Sequence, residues 1–539
     1  MQKQWKKGLL ACLTVGLTIA APLFTWAADK EIVILHTNDM HCGINDNLGL
    51  ATVAQMKQNA LQKTPYVALV DAGDAVQGAP IGKLSKGEAV INMLNAAGYD
   101  FAIPGNHEFD YGMERFWQLN KKLKSGYYSA NFEDLRTKKL ALPAYKMLQF
   151  GDTKVAFVGA TTPGTLISST PSFFQDGQGK YIYGFNEDET GRKLYKALQK
   201  SINAARENGA DYVFIVGHLG LNGSIEYWNC ENVAANTRGV DAVIDGHSHE
   251  RIQGKYVKNY VGKDVLIAQT GTKLKTVGQL VIGTDGKITS TLVKTDCGDD
   301  AKVQKIISRE IAKYEPLLQQ PVGEALVQLR SNDPKTGERL VRNNECSLAN
   351  FVTDAYKAVL NCDVVMVNGG SIRNEIKTGV VTYNDLLEAF PFGNMCAVIE
   401  ASGQQILDAL EMGASHYPEE FGGFYQVAGM EYTINKSVPS TVILDEKGNF
   451  SRVGGLYRVS DVRIGGQPLD INKKYTVGGT TYVLKDGGDG NVMFKGCKLL
   501  KDGEISDVDA IMEYIQKLLD GKIGEQYNNP YGDGRIRIK

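Results

Sequence analysis

The chain has 539 residues, 43% hydrophobic and 22% charged, with a formal net charge of -2. That is an ordinary globular composition; it excludes a disordered or fibrous chain, and the near-neutral balance gives no basis for binding nucleic acid or an anionic membrane. The length is too great for one core and calls for at least two domains.

Lys3, Lys6 and Lys7 precede an apolar run from Gly8 to Phe24, which ends in Trp26-Ala27-Ala28 before Asp29. Residues 1–28 are expected to form a secretory signal peptide, because the run is shorter than the roughly 20 apolar residues of a spanning helix. The mature protein is expected in the periplasm or outside the cell, with no stable membrane anchor. Seven cysteines would remain, an odd number in a compartment where disulfides persist, so at least one is left without an intramolecular partner. Cys42, although next to His41, is read as incidental.

From Glu31 to about Asp296, strand-like apolar runs alternate with helical ones. Five such runs, EIVIL, YVALV, YDFAI, DYVFIV and DAVI, are each followed by a short polar motif: His36-Thr37-Asn38-Asp39-Met40-His41, Asp71-Ala72-Gly73-Asp74, Gly105-Asn106-His107-Glu108-Phe109-Asp110, Gly217-His218 and Gly246-His247-Ser248-His249. His41, His107, His218, His247 and His249 are five of the seven histidines in the chain. Ligands at successive strand ends are expected to converge on one edge of a sheet. A helix is expected to place Leu194, Leu198, Ile202 and Ala205 on one face, and a hairpin to join Val277–Ile282 to Ile288–Val293 through Asp285-Gly286. The fold class is therefore α/β: an N-terminal sandwich of mixed sheets flanked by helices over residues 29–300, a helical connector over 301–321 ended by Pro321, and a second α/β domain over 322–539. In that second domain the pattern predicts a helix near Ser347 to Leu360, a buried strand Val364 to Val367 and a glycine-rich loop from Asn368 to Arg373.

Two divalent cations a few ångströms apart need seven or eight ligands with one carboxylate shared. Asp39, His41, Asp74, Asn106, His218, His247 and His249 supply that inventory, with Asp74 the natural bridge and Asn106 a neutral oxygen ligand. Each motif alone reads as well as a capped turn; all five in order, each after a strand-like run, do not. Imidazole-rich nitrogen and oxygen donors suit Zn, Mn or a similar transition metal better than Ca. His36 is expected to be a buried, hydrogen-bonded core residue, Glu108 a structural acceptor, and His416 is assigned nothing.

These motifs resemble the signature of the calcineurin-like metallophosphoesterases, and the spellings T-N-D-M-H, G-N-H-E-F-D-Y-G and D-G-H-S-H resemble the secreted 5'-nucleotidase family, over nearly all of the mature chain. The resemblance implies one metal held by Asp39, His41, Asp74 and His249 and another by Asp74, Asn106, His218 and His247, with His107 and Asp110 as a catalytic dyad. It implies attack by a metal-bridging hydroxide on nucleoside 5'-monophosphates. In the second domain N-G-G-x-I-R, P-F-G and G-G-D-G match the family's nucleotide-binding loops, which implicates Arg342, Asn368, Gly370, Arg373, Phe392 and Asp489 in holding substrate.

One position departs from that pattern. The family clamps the base between two rings, the second six residues before the Asp of Gly-Gly-Asp-Gly; here that position is Val483. Either Tyr482 serves through a one-residue shift or the clamp is one-sided. The alternatives are a 2',3'-cyclic-nucleotide phosphodiesterase with 3'-nucleotidase activity, a nucleotide-sugar hydrolase, or a secreted nucleotide-binding protein without turnover.

Overall fold

The computed structural model describes residues 30–221 and 225–539. The expected signal peptide, residues 1–28, lies outside them, and no described helix is long and apolar enough to cross a membrane.

Eleven strands make the two main sheets of the first domain: β1 (Ile32–Thr37), β2 (Val67–Asp71), β3 (Phe101–Ala102), β4 (Tyr145–Phe150), β5 (Thr153–Thr161), β6 (Tyr212–His218), β7 (Ala242–Ile244), β8 (Arg251–Lys258), β9 (Asp264–Thr270), β10 (Val277–Ile282) and β11 (Ile288–Val293). They form two mixed sheets, in the orders β11-β10-β1-β2-β3 and β8-β9-β7-β6-β5-β4. Within the first, β1, β2 and β3 run parallel; within the second, β5, β6, β7 and β9 do. The expected hairpin is present, β10 pairing antiparallel with β11.

Alternation along β1 shows how the layers are specified. Ile32 and Ile34 enter the core between the sheets with Val70, Phe101, Phe157 and Phe214, whereas Val33 and Leu35 face the helices on the other side. Burying each such side chain contributes about 1.5–3 kcal/mol, so both faces of β1 are committed to core and its register is fixed. The helix α1 (Arg192–Glu207) covers the outer face of the second sheet with Leu194, Leu198, Ile202 and Ala205, the four residues its periodicity singled out.

His36 is fully buried, as expected, but among the described residues neither ring nitrogen has a hydrogen-bond partner. Its cross-strand neighbour on β10 is Gly278, where a Cβ would lie 1.9 Å from the imidazole. The glycine makes room for the ring; nothing compensates the ring's polarity.

The connector starts as the helix α2 (Ala301–Ala312), whose Val303 and Ile307 pack into the first domain's core. Pro321 does not merely end it: Pro321–Ala325 is a strand paired with Gly379–Thr382. The second domain centres on a five-stranded sheet in the order Tyr425–Ala428, Val364–Asn368, Lys474–Thr480, Met395–Ser402, Lys498–Ser506. The helix α3 (Ser347–Leu360) packs against it, and the strand predicted at Val364 to Val367 runs to Asn368. All seven described cysteines are free thiols, five of them buried.

Candidate active site at the junction of the two domains

The five polar motifs lie at the C-terminal ends of β1, β2, β3, β6 and β7. They do not share one sheet edge. Asp39, His41, Asp74, Asn106 and His107 follow strands of the first sheet, while His218, His247 and His249 belong to the second, so the site straddles the mouth of the sandwich.

Five of these residues sit in left-handed backbone: Asp39 (φ 48°), His41 (47°), Asp74 (59°), His247 (79°) and His249 (59°). Each costs roughly 1–3 kcal/mol for a non-glycine residue and persists only where the surroundings enforce it. The enforcement is visible. Asp39 N donates to Gly73 O and His41 N to Asp74 O, both at 2.9 Å. Glu108 accepts from Asp74 N (2.8 Å), Ala75 N (2.7 Å) and Gly105 N (2.7 Å), binding the loop after β2 to the loop after β3. Gly105 must be glycine, since a Cβ there would lie 2.3 Å from Asp74 Oδ1.

Two groups of metal-capable side chains result: Asp39, His41 and His249, and Asp74, His218 and His247. Asp74 lies between them, with Oδ2 3.0 Å from His218 Nε2 and 3.9 Å from His41 Nε2. His218 Nδ1 is 2.7 Å from Ala72 O and His41 Nδ1 is 3.1 Å from Gln77 O. Donation to those carbonyls leaves the Nε2 lone pairs directed into the cluster, where His41 and His249 bring Nε2 atoms within 3.0 Å of each other. Asn106 Oδ1 is buried without a partner among the described residues. Converging imidazole lone pairs, two carboxylates and an orphaned amide oxygen fit a pair of divalent cations. Burial alone would raise the pKa of Asp39, but His249 and His218 outweigh it and bring it to about 2, so this carboxylate is anionic.

His107 Nδ1 lies 2.6 Å from Asp110 Oδ2, and Ser169 Oγ donates to Asp110 Oδ1 at 2.9 Å. Burial opposes charging His107, but Asp110 and Asp74 prevail and raise its pKa. Asp110 is not the N-cap of the following helix; Gly112 fills that position ahead of Met113–Lys122.

The second domain forms the opposite wall of a cavity of about 370 Å³. Arg342, Asn368, Gly370, Arg373, Phe392, Tyr482 and Asp489 all line it together with Asp74, Asn106, His107, His247 and His249. Arg373 Nη2 is 3.4 Å from His107 Nε2. Burial, with Arg339 next, lowers Arg342 well below the usual guanidinium range and Arg373 to about 10; no carboxylate is ion-paired to either among the described residues, and both Nε atoms are buried without a partner. Two uncompensated guanidiniums beside a metal cluster make an anion site. Asn368 Nδ2 donates to Asp489 Oδ2 at 2.8 Å, holding that carboxylate toward the cavity.

Phe392 lies over the Arg373 guanidinium at 4.9 Å and 5.6 Å from the His107 ring, close to the metal cluster. Val483 is core, 1% exposed, and cannot be a stacking ring. Tyr482 covers Gly488, and its hydroxyl donates across the domain boundary to Ile167 O at 2.9 Å. Sequence reasoning missed Arg339, Ser169, Asn394 and Phe421, all in the cavity wall. A signal existed for Ser169: β5 is a sixth apolar run followed by a small polar loop, but one without His or Asp. Phe421 stands in Phe421-Gly422-Gly423-Phe424, the same aromatic-and-glycine texture as the loops that were singled out.

Residues 32–251 match the model of the calcineurin-like phosphoesterase family and residues 321–496 that of the 5'-nucleotidase C-terminal domain. The chain belongs to the calcineurin-like phosphoesterases that carry a 5'-nucleotidase C-terminal domain. It is similar to the 5'-nucleotidase of Rattus norvegicus, 28% identical over 94% of this chain and 91% of that protein. Among solved structures it is similar to the 5'-nucleotidase precursor from Thermus thermophilus, with a TM-score of 0.78 and 25% identity, covering 94% of this chain and 99% of that one. The sulfate thiohydrolase from the same organism, 18% identical with a TM-score of 0.69 over 94% of this chain, shares the fold. Fold alone therefore does not choose the reaction.

Proposed function

We propose that the protein hydrolyses nucleoside 5'-monophosphates to nucleoside and phosphate. The observation that carries this reading is the single cavity in which the histidine–aspartate cluster of one domain faces Arg342, Arg373 and Asp489 of the other. The reading is supported by the similarity to proteins named 5'-nucleotidase in both comparisons.

In this reading Asp39, His41, Asp74 and His249 hold one divalent cation, and Asp74, Asn106, His218 and His247 the other. When bound, the pair acidifies water and withdraws charge from the phosphoryl oxygens. Arg342 and Arg373 hold the remaining phosphoryl oxygens. His107, fixed by Asp110, presents Nε2 to the negative charge that spreads over the phosphoryl group in the transition state. Water attacks phosphorus in line as the bond to the ribose 5'-oxygen breaks, and the alkoxide that leaves takes up a proton. Asp489 and Asn368 receive the ribose hydroxyls, and Phe392 packs beside the phosphate end. Residues 29–300 then carry the chemistry and 322–539 recognition, linked through 301–321, with residues 1–28 removed on export.

The test is phosphate release by the chain from Asp29 onward, chelator-stripped and restored with Mn, Zn or Mg, from 5'-AMP beside 3'-AMP, 2',3'-cyclic AMP and UDP-glucose. Metal-dependent release mainly from 5'-AMP is expected. Release mainly from another substrate would retain the metal centre and refute the nucleotide assignment; no release from any would favour a binding protein.

A further inference from the structure

We infer that Tyr482 is a positioning residue for ribose recognition, its hydroxyl fixing Asp489 against the backbone of the first domain; the role rests on the nucleotidase reading above. The hydroxyl meets three groups. It donates to Ile167 O at 2.9 Å, accepts from Asp489 N at 3.2 Å, and lies 3.2 Å from Asp489 Oδ1. A hydroxyl has one proton to give and two lone pairs to receive. A carbonyl only accepts, so the proton belongs to Ile167 O while the domains are seated, and the hydroxyl oxygen takes the Asp489 amide. Burial, with Asp489 next, raises the phenol well above its usual range, so it keeps that proton. Asp489 Oδ1 is therefore held beside Tyr482 without receiving its proton, and Asn368 occupies only Oδ2. Oδ1 stays open to a donor from the cavity, and a ribose hydroxyl is such a donor. With the domains apart, the same proton would turn to Oδ1 and occupy it.

Both ends of this link are fixed. Asp489 sits in left-handed backbone (φ 52°), which persists only where the surroundings enforce it, and Tyr482 contributes that enforcement through the Asp489 amide. A Cβ at Gly488 would lie 2.3 Å from Tyr482 Cζ, so the glycine is what lets the ring pack against this loop. On the first domain, Ile167 belongs to the short helix Thr165–Ser168, where Ile167 N and Ser168 N both donate to Gly164 O, at 3.0 and 2.9 Å. The second domain also covers the Ile167 side chain, since a Cβ at Gly448 would fall 3.0 Å from its Cδ1. Two residues on, Ser169 supports Asp110. One turn of the first domain thus serves the ribose end of the cavity through a carbonyl and the His107–Asp110 pair through a side chain.

Two readouts on the full, metal-loaded chain test this, both with Tyr482→Phe, which keeps the ring and removes the hydroxyl. The first is the ratio of kcat/KM for 5'-AMP to kcat/KM for 2',3'-dideoxy-AMP, which has the same base and phosphate but neither ribose hydroxyl. A general disturbance of fold or metals cancels in that ratio, whereas a misplaced Asp489 lowers it; a fall of about tenfold is expected. The second is the ratio of adenosine to 2',3'-dideoxyadenosine affinity by calorimetry, which involves no chemistry and should fall by a similar factor. If Tyr482 acted through its ring alone, both ratios would stay at their native values, and that result would overturn the assignment. A native chain that releases phosphate from neither ester, yet loses its preference for adenosine over the dideoxynucleoside in Tyr482→Phe, would refute the nucleotidase reading and leave this one standing.

Discussion

Ser169 and His36 show opposite fates of a buried polar side chain. Ser169 Oγ donates to the Asp110 oxygen not used by His107, so serine, aspartate and histidine form a chain that ends at the cavity. Bonds to a charged acceptor contribute about 1.5–3 kcal/mol. Ser169→Ala is therefore expected to lower kcat for 5'-AMP about tenfold, with a smaller change in KM, because the loss falls on transition-state support; steady-state kinetics would show it. His36, by contrast, has no partner, and burial lowers its pKa to about 3 from 6.5. A base whose folded pKa is depressed binds fewer protons folded than unfolded between those values, so stability is full above pH 6.5 and is lost as the pH falls. In the chelator-stripped protein, His36→Leu should remove this acid sensitivity. Urea unfolding should show the variant gaining about 3 kcal/mol relative to the native chain between pH 7.5 and pH 4.5.

At the scale of elements, the site is a set of strand-end loops tied to one another, and Glu108 is the knot between two of them. Its carboxylate replaces the peptide partners that the loops after β2 and β3 would otherwise lack. Glu108→Ala should loosen Asp74 and Asn106 together and weaken metal affinity about 10–100-fold, measured by competition with a chromophoric chelator; Glu108→Gln, which keeps one acceptor, should lose less. The strands themselves were legible in the sequence because each apolar run ends abruptly in a polar motif. Their division between two sheets was not, since a strand buried on both faces reads the same whichever sheet it joins. β3 is only two residues long, yet its motif after YDFAI was found, because the polar spelling carries more information than the strand.

For the molecule as a whole, the cavity exists only where the domains meet. Tyr482 reaches Ile167, Lys447 Nζ lies 3.1 Å from Glu187, and Lys83 Nζ lies 3.7 Å from Asp507, so the second domain is seated on the first around the rim of the site. The sequence divided the labour between the domains, metal ligands in one and arginines and glycine-rich loops in the other. It did not show that Arg373 would come within 3.4 Å of His107. That contact makes the account's central claim, one active site built by two domains, directly measurable. The measurement is kcat/KM for 5'-AMP in Arg373→Ala, with metal content determined on the same sample. The account predicts two metals per chain, as in the native protein, and a fall of about a hundredfold or more, the scale of losing a charged contact to a phosphoryl group. Native turnover with the metals in place would contradict it, since the first domain would then be working alone.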